Sequence, residues 1–176
     1  PELPPLAGHK GWIEGFAFRG EGELLFTGDS WGQIRCWPGY LAEKPEPKWK
    51  NDHAHNGWIR TLALSPDGKQ LASIATDKKL KIWSAEGGAL LHEVTLVEDP
   101  RVLLWHPGGG LLLGDAKGIV ELREAGGDQP FTTVARKFDA SVLFTLSRLQ
   151  DCGGVACMAL DAAGKQLAVG GLIPKN

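Results

Sequence analysis

Short runs of apolar and β-branched residues recur along the whole chain and are separated by polar turns. The first run of each group is rich in branched and aromatic side chains and too short for a stable helix. No stretch of the chain has a convincing helical period of apolar positions. The pattern therefore predicts a first strand in each of four places: Ile13–Phe18, Ile59–Leu64, Val102–Trp105 and Val155–Leu160.

Each predicted first strand is followed by a turn and by further short apolar runs. Ser65-Pro66-Asp67-Gly68 is a favourable turn, because Pro presets φ and Gly tolerates positive φ. Second strands are predicted at Leu24–Thr27, Gln70–Ile74, Leu111–Leu113 and Gln166–Val169. Third strands are predicted at Gln33–Trp37, Leu80–Trp83 and Ile119–Leu122, and fourth strands at Lys48–Lys50, Leu90–Leu96 and Ser141–Leu146.

The chain also repeats itself. The word GKQLA occurs at Gly68–Ala72 and again at Gly164–Ala168, each time between two apolar runs. A gapless alignment places Gly8–Trp37 on Ala54–Trp83, with His and Trp landmarks in the same register. A degenerate copy fills the interval at Arg101–Arg123. Repeats of this length, with four short strands each, are typical of propeller blades.

The landmarks identify a family. Gly8-His9 with Trp37, and His55 with Asp77 and Trp83, resemble the WD40-repeat β-propeller family. The resemblance implies an all-β fold, an arc of four-stranded antiparallel blades that forms an incomplete ring. The blades are expected at residues 8–50 and 54–96, with a degenerate blade at 100–146 and a half blade at 152–172. The SPDGKQLA word also occurs in periplasmic translocation-protein-like repeats, but the spacing of His, Asp and Trp favours WD40.

In this family a His, a Ser or Thr, an Asp and a Trp form a hydrogen-bonded tetrad in each blade. The resemblance assigns these roles in the second blade to His55, Ser73, Asp77 and Trp83. Such a network is physically reasonable, since a buried indole N–H needs an acceptor and an imidazole can bridge to a carboxylate.

The other blades depart from this pattern. The first blade keeps His9, Thr27 and Trp37 but has Trp31 at the position of the Asp, so we expect no closure through a carboxylate. Lys117 and Arg123 replace Asp and Trp in the third blade, and Asp151 replaces the His in the fourth. These blades are expected to depend mostly on apolar packing.

With 43% hydrophobic residues, the composition is that of an ordinary folded chain. Its net charge of −2 gives no strong electrostatic field that would attract nucleic acid or an acidic membrane. Three cysteines are too few for a disulfide framework, and Cys36 and Cys157 are expected to be small buried hydrophobes. His53-Ala54-His55 has no further ligand at metal spacing, and the repeat register explains His55, Ser73 and Asp77 without hydrolysis. We therefore expect no metal, no cofactor and no enzyme activity.

The tryptophans are the best candidates for binding. In the family, the loop before the first strand and the turn after the second strand lie on one face. Trp12 and Trp58 fall in the first position and Trp31 in the second, with Arg60 nearby. Packing of Trp12 and Trp58 between neighbouring blades is the alternative. Trp is favoured in protein interfaces, so these four residues are candidate protein-binding residues.

The expected function is a non-catalytic scaffold for protein–protein interaction, and no partner is identified. The alternative is a regulatory or sensor propeller joined to a catalytic domain outside this sequence. We expect the sequence to be a piece of a longer chain, because an open arc leaves a blade face and strand edges uncovered. The missing blades would come from that longer chain or from a second copy. A cytoplasmic location is expected.

Overall fold

The computed structural model describes residues 5–20, 23–126, 130–139 and 154–171. These residues form fourteen strands joined by turns, and no α-helix occurs among them. Nothing within these ranges is a helix long and apolar enough to cross a membrane. The expectation of an all-β fold built from antiparallel sheets is confirmed.

The described strands form three four-stranded sheets and one two-stranded sheet, and neighbouring strands are consecutive in the chain. The first sheet contains β1 (Ile13–Arg19), β2 (Leu24–Asp29), β3 (Ile34–Pro38) and β4 (Trp49–Asn51). The second contains β5 (Ile59–Leu64), β6 (Gln70–Ala75), β7 (Lys79–Ser84) and β8 (Leu90–Thr95). The third contains β9 (Pro100–Trp105), β10 (Leu111–Asp115), β11 (Ile119–Arg123) and β12 (Val134–Asp139), and the last contains β13 (Val155–Leu160) and β14 (Leu167–Gly171).

The predicted strands agree with these bounds to within two residues, with one exception. The fourth strand of the third sheet is β12, at Val134–Asp139, and it pairs with β11. The prediction of this strand at Ser141–Leu146 is wrong, and those residues lie outside the described ranges. The prediction rested on the apolar residues at 141–146. The observed strand β12 is an outer strand whose first residues are exposed, and it has no apolar pattern.

The chain divides into two compact units, Pro1–Glu93 and Val94–Asn176. In the first unit, the first and second sheets pack face to face around one apolar core. The alternation of side chains in β1 directs Gly15 and Ala17 to this interface, where the Gly15 backbone lies against Leu62 of β5. Members of the core are Ala17, Leu24, Phe26, Ile34, Cys36, Ala54, Ile59, Leu62, Leu71, Ala75, Trp83 and Ala85.

In the second unit, the third and last sheets share a smaller core. Leu112 and Val120 pack with Val155 and Met158, and the side chains of six partly buried apolar residues surround them. The opposite face of β13 is exposed and includes Cys157. The expectation of a buried Cys157 is therefore wrong, whereas Cys36 is buried as expected. Both lie on strands, and only the packing of the two sheet faces distinguishes them.

The repeated GKQLA word has a packing role in both units. Its glycines, Gly68 and Gly164, have φ of +71° and +70°, a conformation that favours glycine. A Cβ on Gly68 would lie 3.0 Å from the Arg19 side chain, and one on Gly164 would lie 2.8 Å from the His106 ring. Arg19 and His106 each follow the apolar positions of a first strand. In both units the glycine thus lets a turn approach the preceding sheet.

Candidate functional site

The second sheet contains a continuous hydrogen-bonded chain of four side chains. Trp83 Nε1–H donates to Ser73 Oγ at 2.8 Å, and Ser73 Oγ lies 2.7 Å from His55 Nε2. His55 Nδ1 lies 3.0 Å from a carboxylate oxygen of Asp77. Strand register brings these residues together, because Ser73 and Lys81 are opposite each other and Trp83 follows two positions later on the same face.

The Asp77 carboxylate can only accept, so His55 donates from Nδ1. Ser73 accepts from the indole N–H, and its own hydroxyl proton is satisfied when it donates to His55 Nε2. This arrangement requires a neutral imidazole. Burial lowers the pKa of His55 below its ordinary value, against the opposing effect of Asp77. Burial raises the pKa of Asp77, but hydrogen bonds from His55, Asn56 and Lys79 outweigh burial and lower it to about 2.

The first sheet has the same chain with a different carboxylate. Trp37 Nε1–H donates to Thr27 Oγ1 at 2.8 Å, Thr27 Oγ1 lies 2.6 Å from His9 Nε2, and His9 Nδ1 lies 2.8 Å from Asp29 Oδ2. The expectation that this network lacks a carboxylate is therefore wrong. Asp29 comes two residues before Trp31, the position that aligns with Asp77, and its side chain still reaches the same imidazole nitrogen.

Asp29 reaches His9 because it ends β2 and also organises the following turn. Its second carboxylate oxygen accepts the backbone N–H groups of Trp31 and Gln33 at 2.9 and 3.0 Å. Asp115 ends β10 in the same way and accepts the N–H groups of Lys117 and Ile119. The shared pattern of Asp, two residues and Gly at positions 29–32 and 115–118 was a signal that an alignment anchored on Asp77 missed.

A basic residue on the third strand of each of these two sheets donates to the backbone carbonyl just before the network histidine. Arg35 Nη2 donates to the carbonyl oxygen of Gly8 at 2.5 Å, and Lys81 Nζ donates to that of Ala54 at 2.7 Å. Gly8 and Ala54 directly precede the two network histidines. Arg35 and Lys81 occupy the same register position, opposite Thr27 and Ser73. Neither Arg35 nor Lys81 was predicted as a functional residue, although the two align with each other in the gapless alignment of the repeats.

Among the described residues of the third sheet, other side chains occupy the network positions, as the sequence predicted. Leu113 stands at the Ser/Thr position and Arg123 at the Trp position, since Leu111 pairs with Arg123 as Leu71 pairs with Trp83. The buried Arg123 guanidinium donates to Glu121 at 2.7 Å and to the Phe131 carbonyl oxygen at 3.0 Å. A cavity of about 60 Å³ remains beside these residues. Asp151 of the fourth predicted blade lies outside the described residues.

The three candidate tryptophans are exposed and adjoin one another. Trp12, Trp31 and Trp58 have 75, 65 and 49% of their surface exposed. The rings of Trp12 and Trp58 meet edge to face, with centroids 6.5 Å apart. The Trp31 ring lies against the backbone of Gly11, the residue before Trp12. Trp12 and Trp58 therefore contact each other across two sheets but are not enclosed between them. We call these three residues the tryptophan face.

Backbone hydrogen bonds hold the tryptophan face in place. The N–H of Trp12 donates to Ser30 Oγ at 3.1 Å, and the N–H of Ser30 donates back to the Trp12 carbonyl at 2.9 Å. Trp58 and Thr76 form the same reciprocal pair, at 3.0 Å in both directions. The Trp12 and Trp58 indoles thus project from loops that hydrogen bonds tie to the neighbouring turn, and Trp31 N–H donates to the network residue Asp29.

Arg60 is the fourth candidate binding residue, and its position differs from that of the tryptophans. It occupies a β-bulge of β5, between Ile59 and Thr61, and is half-buried. Its guanidinium Nε is enclosed by the protein. Across the described ranges, no group of three His, Cys, Asp or Glu side chains is placed to hold a metal ion.

Comparison with known proteins finds a repeat family that two segments of this chain match. The model of the WD domain, G-beta repeat, matches residues 2–38 and 48–84. Apoptotic protease-activating factor 1 of Homo sapiens is 38% identical over 90 residues, which are 49% of this chain and 7% of that protein. A p21-activated protein kinase-interacting protein 1-like of Danio rerio is 31% identical over 107 residues, 59% of this chain and 27% of that protein.

A third relative is the guanine nucleotide-binding protein subunit beta of Oryza sativa subsp. indica, 39% identical over 75 residues, 43% of this chain and 20% of that protein. The chain thus spans between 7 and 27% of the length of these relatives. Each matched segment contains the first three strands of one sheet and the complete His-to-carboxylate network of that sheet. The sequence match, the histidine networks and the sheet topology together show that the segments 2–38 and 48–84 are WD40 repeats.

Proposed function

We propose that this chain is a non-catalytic scaffold that binds a protein partner through the tryptophan face. The observation that carries the proposal is the contiguous exposure of Trp12, Trp31 and Trp58 on loops that their own backbone hydrogen bonds fix. An indole combines a large apolar surface with one hydrogen-bond donor, and Trp is enriched among interface hot spots.

Rigidity strengthens the argument. A partner that binds flexible loops must order them, which costs affinity, whereas fixed loops have already lost that freedom in the folded chain. The names of two relatives describe proteins that act in association with others, an interacting protein and a subunit. Both observations favour a recognition surface over a purely structural role for the three indoles.

A peptide library displayed on phage provides a probe that needs no known partner. Peptides selected on the immobilised chain would be measured by titration calorimetry against the unmodified chain and against Trp12→Ala, Trp31→Ala and Trp58→Ala. We expect at least a tenfold loss of affinity for two or more of these variants, because truncating a hot-spot residue typically costs more than about 1.4 kcal/mol.

The matched control is Leu90→Ala. Leu90 is 48% exposed, similar to Trp58, but lies on the outer strand β8 and away from the loops that carry the indoles. Its replacement should leave the affinity unchanged. Peptides that bind all three tryptophan variants with unchanged affinity would contradict the proposal, since they would mark another surface.

A second candidate function is regulatory: the chain would be a propeller segment attached to a catalytic domain outside this sequence. It is favoured by the size of one relative, of which this chain covers only 7%. The two candidates differ in genomic context, and sequencing of the gene around this segment separates them. An adjoining catalytic domain supports the second, and a gene with propeller repeats alone supports the first.

A further inference from the structure

The first sheet has an aromatic face that its own unit leaves uncovered. Gly15 and Ala17 of β1 point to the second sheet, so Phe16 and Phe18 point away from it, and they are 62 and 50% exposed. The two rings meet edge to face at 5.6 Å, and Tyr40 extends the group with its ring 5.8 Å from that of Phe18. We call Phe16, Phe18 and Tyr40 the aromatic face. It is distinct from the tryptophan face.

The repeat register shows what kind of surface fits the aromatic face. Phe16 and Phe18 are equivalent to Leu62 and Leu64 of β5, because the bulges after Ile13 and Ile59 fix the same pairing. Leu62 and Leu64 are packed against the first sheet, where Gly15 offers its backbone to Leu62. In this unit, large side chains of one first strand therefore meet small residues of the preceding first strand.

The last sheet presents a surface of the same small-residue type, and it too is uncovered. Cys157 and Ala159 of β13 are equivalent to Gly15 and Ala17, because the bulge after Val155 fixes the same register. Ala168 and Gly170 of β14 lie opposite them, and Gly170 leaves room for the Cys157 sulfur. Cys157, Ala159 and Ala168 are exposed, whereas the other face of this sheet packs on the third sheet.

We propose that the aromatic face of one copy of this chain docks on the small-residue face of β13 and β14 of a second copy. The contact continues between chains the interface that joins the first and second sheets within a chain. Sequence alone left two sources for the covering sheet, further chain or a second copy. This sequence itself supplies both complementary surfaces, so a second copy is by itself enough to cover them.

Such a contact joins two different surfaces, so it is head to tail and leaves one surface of each kind free on a simple pair. Two copies close into a discrete dimer if both contacts form together, and otherwise the chain extends into longer assemblies. Either outcome depends on protein concentration. A contact between two identical aromatic faces would instead stop at a symmetric dimer.

Light scattering after size-exclusion chromatography, over a hundredfold range of concentration, measures the assembly directly. We expect the unmodified chain to form dimers or longer assemblies. Phe16→Ser combined with Phe18→Ser, and separately Ala159→Arg, should each shift dissociation to at least tenfold higher concentration. Leu90→Ser removes a similarly exposed apolar side chain elsewhere and should leave assembly unchanged. Circular dichroism of each variant establishes that the sheets are intact.

Mixing the two defective variants gives the decisive measurement. The double Phe variant keeps its small-residue face, and Ala159→Arg keeps its aromatic face, so an equimolar mixture should form a one-to-one pair. Cys157 reports on the same contact, since its alkylation by iodoacetamide should slow as concentration rises. A chain that is monomeric at all concentrations would overturn the proposal, as would assembly that both variants leave unchanged or a mixture that stays monomeric.

Discussion

Replacement of Asp29 by alanine is the sharpest test of the network in the first sheet. The Asp29 side chain is fully buried and accepts three hydrogen bonds, from His9 Nδ1–H at 2.8 Å and from the N–H groups of Trp31 and Gln33 at 2.9 and 3.0 Å. Alanine would leave these three donors without their acceptor. Each orphaned donor costs about 1–3 kcal/mol, and a neutral His9 leaves no unpaired buried charge to add to this cost.

Three such losses overlap because they belong to one network, so we expect Asp29→Ala to lower the free energy of unfolding by about 3–5 kcal/mol, below the upper limit of their sum. Asp29→Asn keeps an oxygen for the two backbone N–H groups and loses only the acceptor that faces His9. That smaller change should cost about 1–2 kcal/mol. Urea unfolding followed by far-UV circular dichroism measures both values.

Asp77→Ala is the matched control, because Asp77 also accepts three donors, His55 Nδ1–H and the N–H groups of Asn56 and Lys79. Both aspartates lie in the first unit, so both variants should shift the same transition by a similar amount. A cost below about 1 kcal/mol for Asp29→Ala beside a full cost for Asp77→Ala would refute the reasoning. Trp31→Asp gives the converse test: Asp29 already closes the network, so this variant should bring no gain in stability.

Three further predictions follow from the same geometry. Burial lowers the pKa of His9 and His55 below 6.5, so these histidines take up protons in the unfolded chain at a higher pH than in the folded chain. The free energy of unfolding should therefore be highest above about pH 6.5 and should fall as the pH drops below that value. A further loss should follow between pH 3.8 and about 2, where Asp77 protonates. A urea midpoint that is flat from pH 7.5 to 5 would contradict this. Gly164→Ala should lower the free energy of unfolding by about 2 kcal/mol and Gly68→Ala by about 1 kcal/mol. Both substitutions place alanine at a positive φ, but only Gly164→Ala also forces a Cβ against the His106 ring. Urea titrations of both variants would measure the difference. Burial raises the pKa of the Cys36 thiol to about 11, so iodoacetamide should leave Cys36 unmodified and should alkylate the exposed Cys157 at low protein concentration. Mass spectrometry of the alkylated peptides measures both reactions. Equal alkylation of the two cysteines would show that the core of the first unit opens.

Of the fourteen described strands, all but β12 could be predicted from local sequence because each carries its own signal. Alternating or continuous apolar runs end at Gly, Pro and Asp turns, and the gapless alignment of the first two repeats confirms the first three strands of both. The second-sheet network could be identified for the same reason, since all four of its residues fall at the spacing of the family. The one misplaced strand, β12, has neither an apolar pattern nor a clear counterpart in the other repeats.

Local sequence is enough to locate all but one of the described strands, the turns and the repeat, because these depend on neighbours within a few positions. The folded arrangement is needed to show that Asp29 accepts from His9, that Arg35 donates to Gly8 and that Cys157 faces outward. Each of these facts depends on where the end of a side chain lies in space. Asp29 lies two positions earlier in its turn than Asp77 does, yet its carboxylate oxygen reaches the equivalent imidazole nitrogen. Likewise, alternation places Phe16 and Gly15 on opposite faces, but only packing reveals which face of the strand is covered.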